Sequence, residues 1–537
     1  MNQQWIGRVI GLVAGVIGVI GMAVTASPAY AGLEDILYKK GMITKEEWTK
    51  AKAETAQIKA EIEQTKAELE QAKAEATQAK AELAKVKTDT DKAKADTDAM
   101  KTAAAKSGVQ AGVEKGRPFL RSDDGNYEFF LNGVLQTDFH ATEGGANTLA
   151  GGNLDDQFLV RRARFGIDGT MFQFVKFMVL GEFAPAGQSA GGQGAGIGGT
   201  LKDGFVELDF MPELKLRVGQ FKTPFSLDQL TSARHIDFVE RSVVDELVPG
   251  RDVGMMLHGS LLQGKLMYSL GGFNGRGENF SDRSDDKDLA ARLVVAPFKT
   301  SSDRWLKGMQ IGGNVTWGDQ GGTFAAGSAQ GRTSARTATR FTFFTPHTVN
   351  GIRTRVGGDL AWTVGPAALK AEGIIQQSER KGLGPGGREL DEITASGWYV
   401  TGSYLLTGED SVLNGPIVPK KNFSSPFGPS AGPGAVQVLF RWSSLAFDSS
   451  EAIDFFTGGV PAAGLVRENN VQAATAGLNW YLNPRVRLMF NWTNYWFSNE
   501  RGTPFSCSPT TACGGFASLS PGNDTSWEAI TRLSLWF

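Results

Sequence analysis

Hydrophobic and polar residues along this chain change period once, near Gly108. Before it, apolar and small residues recur every three to four positions; after it they alternate with polar ones at every second position. The first period belongs to helices, the second to strands with one apolar face.

Residues 33–47, LEDILYKKGMITKEE, predict a short helix, a turn at Gly41, and a second helix capped by Thr44 with Glu47 completing a capping box. From Trp48 a seven-residue repeat runs without a slip. Trp48, Thr55, Ile62, Leu69, Ala76 and Leu83 take its a positions, and Ala51, Ile58, Thr65, Ala72, Ala79 and Val86 its d positions. That register predicts a left-handed coiled coil. Every e position is lysine, from Lys52 to Lys101, and every g position is acidic, from Glu54 to Asp96. Parallel copies set g against e and attract at each step, whereas antiparallel copies repel. The seam is rich in alanine and threonine, so the coil needs an attached oligomer to hold it. At about 1.5 Å per residue it reaches roughly 85 Å.

Beyond Gly108 the alternation predicts strands at 126–140, 157–169, 174–184, 202–211, 214–222, 251–262, 265–273, 288–298, 308–318, 353–364, 367–379, 393–406, 435–447, 470–482, 485–497 and 525–537. The expected fold is an all-β transmembrane barrel of about 16 antiparallel strands. Connections alternate between tight turns, such as Met211-Pro212-Glu213, Gly365-Pro366 and Asn483-Pro484, and long Gly/Asp/Ser-rich loops. Residues 407–434 break this rule, being long where a short turn is due. The last strand places Trp527, Ala529, Thr531, Leu533, Leu535 and Phe537 on one face, with Glu528, Arg532 and Ser534 on the other. A terminal phenylalanine on such a strand is similar to the assembly signal of outer-membrane barrels.

One connection is unlike the rest. Residues 223–250 join two alternating strands but carry Phe225, Leu230, Ile236, Phe238, Val243, Val244 and Leu247 among arginines. A loop that long and apolar must pack on something. The inner wall of a barrel is the surface at hand, so an inward-folded loop narrowing a pore is expected.

Composition and charge narrow the class further. The 537 residues carry a net charge of −2, which leaves no nucleic-acid footprint. Arg8, the apolar run Val9 to Val24, and Ala29-Tyr30-Ala31 read as a signal peptide over 1–31, so the chain is exported. Residues 32–107 then form a periplasmic helical segment and 108–537 the barrel domain. Cys507 and Cys513 fall in the last long loop, where a disulfide is expected to be stable. His140, His235, His258 and His347 lack metal-ligand spacing, and neither metal nor cofactor is expected. Gly428-Pro429-Ser430-Ala431-Gly432 and Gly382-Leu383-Gly384-Pro385-Gly386-Gly387 match nucleophile-elbow and dinucleotide patterns, without the helix either needs. No enzyme is expected.

RRARFGIDGTMFQFVKFMVLGEFA, KDGFVELDF, LRVGQFKTPFSLDQLTSARHIDFVER and YLLTGED resemble the phosphate-selective porin O and P family, from about residue 126 to the end. The resemblance implies a sixteen-stranded, trimeric anion channel in the outer membrane, with the third outer loop folded into the lumen. It maps constriction cations onto Arg161, Arg162 and Arg241, and an acidic partner onto Asp203. Alternation alone faces Arg162 inward with Arg164; Arg161 can join them only through a bulge. Lys222, Arg234 and Arg251 are further candidates, either for permeant anions or for bracing the loop. Val134 and Gln229 stand where the selective members lead one to expect an arginine and a lysine, which weakens a tight phosphate site. Two functions follow. One is a passive channel for small anions such as phosphate. The other is a structural tether, with the coil joining the outer membrane to the cell wall or a periplasmic partner and the barrel an unselective pore.

Overall fold

The computed structural model describes residues 32–144, 156–184, 199–280, 285–320, 335–336, 342–344, 349–382, 385–423, 432–448, 469–499 and 525–537. The expected signal peptide and the Cys507–Cys513 bridge lie outside them. The chain divides into two compact units, the first ending at Lys106 and the second starting at Ser107.

In the first unit, α1 (Leu33–Lys39) turns at Gly41 into α2 (Lys45–Ser107). The capping box is formed: the Glu47 N–H donates to Thr44 Oγ1 at 3.3 Å and the Thr44 N–H to Glu47 Oε2 at 2.9 Å. Trp48 fastens the two helices, its Nε1 donating to Asp35 at 2.7 Å and its ring stacking on Tyr38. The helix runs 63 residues without a break, with the seam residues Leu83 and Val86 exposed.

The second unit is built on one 18-stranded sheet, beside a separate two-stranded pairing of Ala335–Arg336 with Thr342–Phe344. A hairpin of β1 (Val109–Glu114) and β2 (Arg117–Ser122) precedes β3 (Tyr127–Gly144), β4 (Gln157–Met171), β5 (Val175–Glu182), β6 (Thr200–Met211), β7 (Leu214–Lys222), β8 (Arg251–Leu261) and β9 (Leu266–Phe273). Next come β10 (Asp288–Val295), β11 (Met309–Asp319), β12 (Ile352–Val364), β13 (Ala367–Arg380), β14 (Leu390–Leu405), β15 (Ala435–Asp448), β16 (Asn469–Asn483), β17 (Val486–Asn499) and β18 (Thr525–Trp536). Each strand from β3 pairs antiparallel with the next, and β18 returns to β3 from Ser526↔Gly144 to Trp536↔Val134. The sixteen strands β3 to β18 therefore form a closed antiparallel barrel.

Its sidedness is inverted relative to a water-soluble protein. Val218, Leu257, Leu270, Leu293, Ile311 and Leu535 point outward and exposed, while Gln136, Asp138, Arg292, Asn314, Asn479 and Arg532 are buried within. Closure gives each strand from β3 to β18 a partner on both sides and leaves an apolar band outside, the two requirements of a barrel in hydrocarbon.

The alternation did not reveal the β1–β2 hairpin. β3 extends past the end of β18, and β2 covers the bare stretch by pairing Phe119–Arg121 with Glu128–Phe130. Phe537 completes the seam: its backbone N–H and C=O exchange hydrogen bonds with Gly133, both at 3.1 Å. Its ring lies where a side chain at 133 would project, so any larger residue there would have to displace the ring. The long segment after β14 also finds a reason. Ile417 packs on Leu405, Ala435 and Tyr481, and Asn414 accepts a hydrogen bond from the Ser232 N–H at 3.0 Å, shoring up the loop between β7 and β8.

Candidate functional site: a loop across the lumen

β7 and β8 are neighbours, yet the loop between them finds its partners on β3, β13 and β15 to β18. In a closed barrel only a path through the lumen allows this. Buried backbone groups need partners, and wall side chains supply them. The Ala233 carbonyl accepts from Gln136 at 3.1 Å, that of Ile236 from Arg487 at 3.0 Å, and that of Asp237 from Asn479 at 2.8 Å. The Glu240 carbonyl accepts from Arg441 at 3.2 Å, and the Val239 N–H donates to Asn491 at 2.6 Å. Phe238 lies under the Arg441 guanidinium, 4.3 Å from ring centroid to charge.

The two flanks of the loop are held differently. At its start, Ser226 adopts φ 69° and ψ 130°, costly for a residue with a side chain. It caps the one-turn helix α3 (Leu227–Leu230), and Glu372 of β13 fixes the turn by accepting from Ser226 Oγ and the Leu227 N–H, each at 3.1 Å. At its end, Val243, Val244, Leu247 and Val248 press into an apolar patch of Ile374, Ile393, Leu445, Phe447 and Val471 on the inner wall. Burial of these side chains removes them from water at roughly 1.5–3 kcal/mol each.

The sequence candidates fall into distinct groups. Strand register shifts opposite Gln136 and Thr137, leaving Arg161 as the extra residue of a bulge. Arg161 and Arg162 thereby reach one side, and both bond the loop carboxylate of Glu240. Arg164 instead donates to Glu182 at 2.8 Å. Arg251 clamps Asp203 with two hydrogen bonds, at 3.1 and 2.8 Å, and Lys222 and Arg164 also lie within Coulombic reach of that carboxylate. Lys222 Nζ is caged by the carbonyls of Gln229, Leu230 and Thr231 at 2.5, 3.3 and 2.9 Å. Arg241 donates to the carbonyls of Asp228, Gln229 and Thr231, so it braces the same turn from the other side. Arg234 lies apart: burial and nearby Arg117 push its guanidinium down to about 10, and its Nε is buried without a partner. Val134 is buried opposite Arg164, and Gln229 is buried within the braced turn.

Two loop groups titrate abnormally. Burial pushes the Glu240 carboxyl up, but Arg161, Arg162 and Arg532 outweigh it and hold it well below the usual carboxylate range. Burial, then Arg487, Arg234 and Arg485, push His235 from 6.5 down to about 4, where its ring meets Trp536 edge-on. A released loop would take up a proton near pH 6.5 that the packed loop refuses until about pH 4. Loop packing therefore weakens as pH falls through that window and is insensitive above it. His235→Phe is expected to abolish this, so that only the native chain gains protease cleavage in the loop between pH 7 and 5. Equal acid sensitivity in both would refute it.

The sequence profile of the family described as phosphate-selective porin O and P matches residues 129–498. The chain belongs to this family. Porin O of Pseudomonas aeruginosa is 21% identical over 399 residues, covering 70% of this chain and 84% of its own. Among solved structures, OmpT of Vibrio cholerae aligns at a TM-score of 0.45 and 9% identity, over 77% of this chain and 98% of its own. The outer-membrane channel DcaP of Acinetobacter baumannii aligns at 0.42 and 12% identity, over 77% and 99%. The protein is an outer-membrane porin.

In this porin several residues that hold the loop escaped sequence reasoning: Glu240, Glu372, Lys370, Arg441 and Arg487. Alternation marks the strand residues as inward-facing, and that is the one signal they carry. What they face is set by a loop from across the barrel.

Proposed function

We propose that this porin passes small anions by passive diffusion past a constriction framed by its inward loop. One observation carries the reading. Lys222 takes three backbone carbonyls as hydrogen-bond acceptors and no carboxylate, and Arg241 shares two of those carbonyls, Gln229 and Thr231. Carbonyl dipoles fix both cations in place, with carboxylates farther off than these carbonyls: Asp245 lies 3.8 Å from Arg241 Nε, and Asp203 acts on Lys222 through space. Arg251 and Arg164, by contrast, are matched by Asp203 and Glu182. Fixed positive charge at a narrow point favours anions. With Val134 and Gln229 in place of two cations, the preference is for small anions as a class rather than a dedicated phosphate filter.

A potassium chloride gradient across a planar bilayer tests this. The native channel is expected to reverse at a potential on the chloride side, and Lys222→Met/Arg241→Gln to move toward potassium. An unshifted potential would sink the reading. Three copies standing side by side with parallel coils in the periplasm complete the proposal, supported by the lysine and acidic rows that match only in parallel.

A further inference from the structure

The seven-residue register puts Trp48 at the first seam position of the coil, yet α1 already lies there. Trp48 stacks on Tyr38 with ring centroids 5.1 Å apart and donates to Asp35 at 2.7 Å. Trp48, Ala51 and Thr55, the first three seam positions, are half-buried, as are Leu37 and Ile43, whereas Leu83 and Val86 on the same seam are exposed. The face that should meet partner helices is therefore covered, over its first turns, by a helix of its own chain.

The charged rows start late for the same reason. In a parallel coil each acidic g residue meets the e lysine five positions on in the neighbouring chain. The first such pair is Glu47 with Lys52. Glu47 accepts from the Thr44 N–H and the Thr44 hydroxyl, each at 2.9 Å. Lys52 Nζ lies 4.6 Å from the Trp48 ring centroid and 3.5 Å from Asp35. Both are engaged within the chain, so the ladder between chains begins at Glu54 with Lys59. α1 in turn leaves its far side bare. Ile36, Tyr38 and Met42 are 53%, 38% and 70% exposed, an apolar patch beside a segment made largely of lysine, glutamate and alanine. The seam points to the coil axis, and α1 lies on the seam, so the side of α1 turned away from α2 points toward that axis.

We propose that this patch meets its counterparts from the other copies, so that the coil ends in a bundle with the α1 helices inside and the α2 helices outside. The proposal rests on the parallel coil of three copies. The matched lysine and acidic rows supply the occupant: parallel copies bring equivalent residues to one level, which sets Ile36 and Met42 against themselves. Such a cap takes these side chains out of water. It also fixes where the seam starts, a task for which a run of alanine and threonine is poorly suited.

Cross-linking in the full-length protein, purified as assembled barrels, tests this. With Cys507→Ser/Cys513→Ser as background, one added cysteine reports its own contact, because a disulfide forms only where Cα atoms come within about 7 Å. Under mild oxidation Leu69→Cys is expected to link copies through the seam, and Ile36→Cys and Met42→Cys to link them through the cap. Thr55→Cys should stay unlinked, because α1 stands between the copies there. Adding Trp48→Ala should detach α1, abolishing the links at 36 and 42 and creating one at 55. A coil running straight from Trp48 gives the opposite pattern, with links at 55 and 69 and none at 36 or 42. That pattern, or unlinked Ile36→Cys and Met42→Cys beside a linked Leu69→Cys, would overturn the cap and leave the parallel coil standing. Loss of the Leu69→Cys link as well would overturn the parallel coil, and the cap with it.

Discussion

Arg532→Met is expected to free the loop and weaken the barrel's closing seam at once. Arg532 lies on the last strand, fully buried, directly across from Asp138 on the first. Its guanidinium grips Asp138 at 2.7 and 2.6 Å, bonds Glu240 at 2.7 Å, and donates to the Val239 carbonyl. Removing it leaves Asp138 as an uncompensated buried charge, which costs about 3–5 kcal/mol. The loop also loses an anchor for both Val239 and Glu240. Two readouts follow: a lower unfolding temperature, and larger, noisier single-channel steps as the loop leaves the lumen. Arg532→Met/Asp138→Leu divides the effects, because a packed apolar pair can replace a buried ion pair. It should restore the unfolding temperature and leave the conductance abnormal. If both recover together, Arg532 holds the seam alone and has no part in placing the loop.

Leu247→Asp should release the other flank of the loop without touching the barrel. Leu247 is buried among Val243, Val244 and Val248 and the apolar wall patch that includes Ile374 and Leu445. Losing a buried leucine costs about 2–5 kcal/mol, and a carboxylate placed there must also be desolvated or protonated. Neither penalty falls on the strand ladders. The barrel should keep its native unfolding temperature while the segment around 243–248 becomes accessible to protease and conductance rises. An unchanged cleavage pattern would count against the apolar patch as an anchor. Leu247→Met, which keeps volume and polarity, should behave as the native chain.

Reading the chain in advance succeeded where a single periodicity governs the outcome. The strand count, the inward face of β18 with Glu528, Arg532 and Ser534, and the capping box at Thr44 and Glu47 all follow from positions two, three or four apart. The inward course of 223–250 was legible for a related reason: so apolar a loop has nowhere else to go. The need for a bulge at Arg161 was readable too, because adjacent residues of a regular strand cannot face one way. What stayed hidden were the matches between distant residues. Glu240 sits in plain view within the FVER motif, yet its role depends on Arg161, Arg162 and Arg532 arriving from strands far away in sequence.

The sequence by itself therefore determined a helical segment followed by a membrane barrel with one loop bound for its interior, because period and polarity are local properties. The tertiary structure alone decided what each inward cation meets. Arg441 and Arg487 donate to loop carbonyls and Arg532 to the Glu240 carboxylate, while Lys222 and Arg241 share the carbonyls of the turn at 228–231, with Asp245 3.8 Å from Arg241. The physical reason is that a cation's effect on a pore depends on what lies within a few ångströms of it. Barrel closure, not neighbouring sequence, sets those distances.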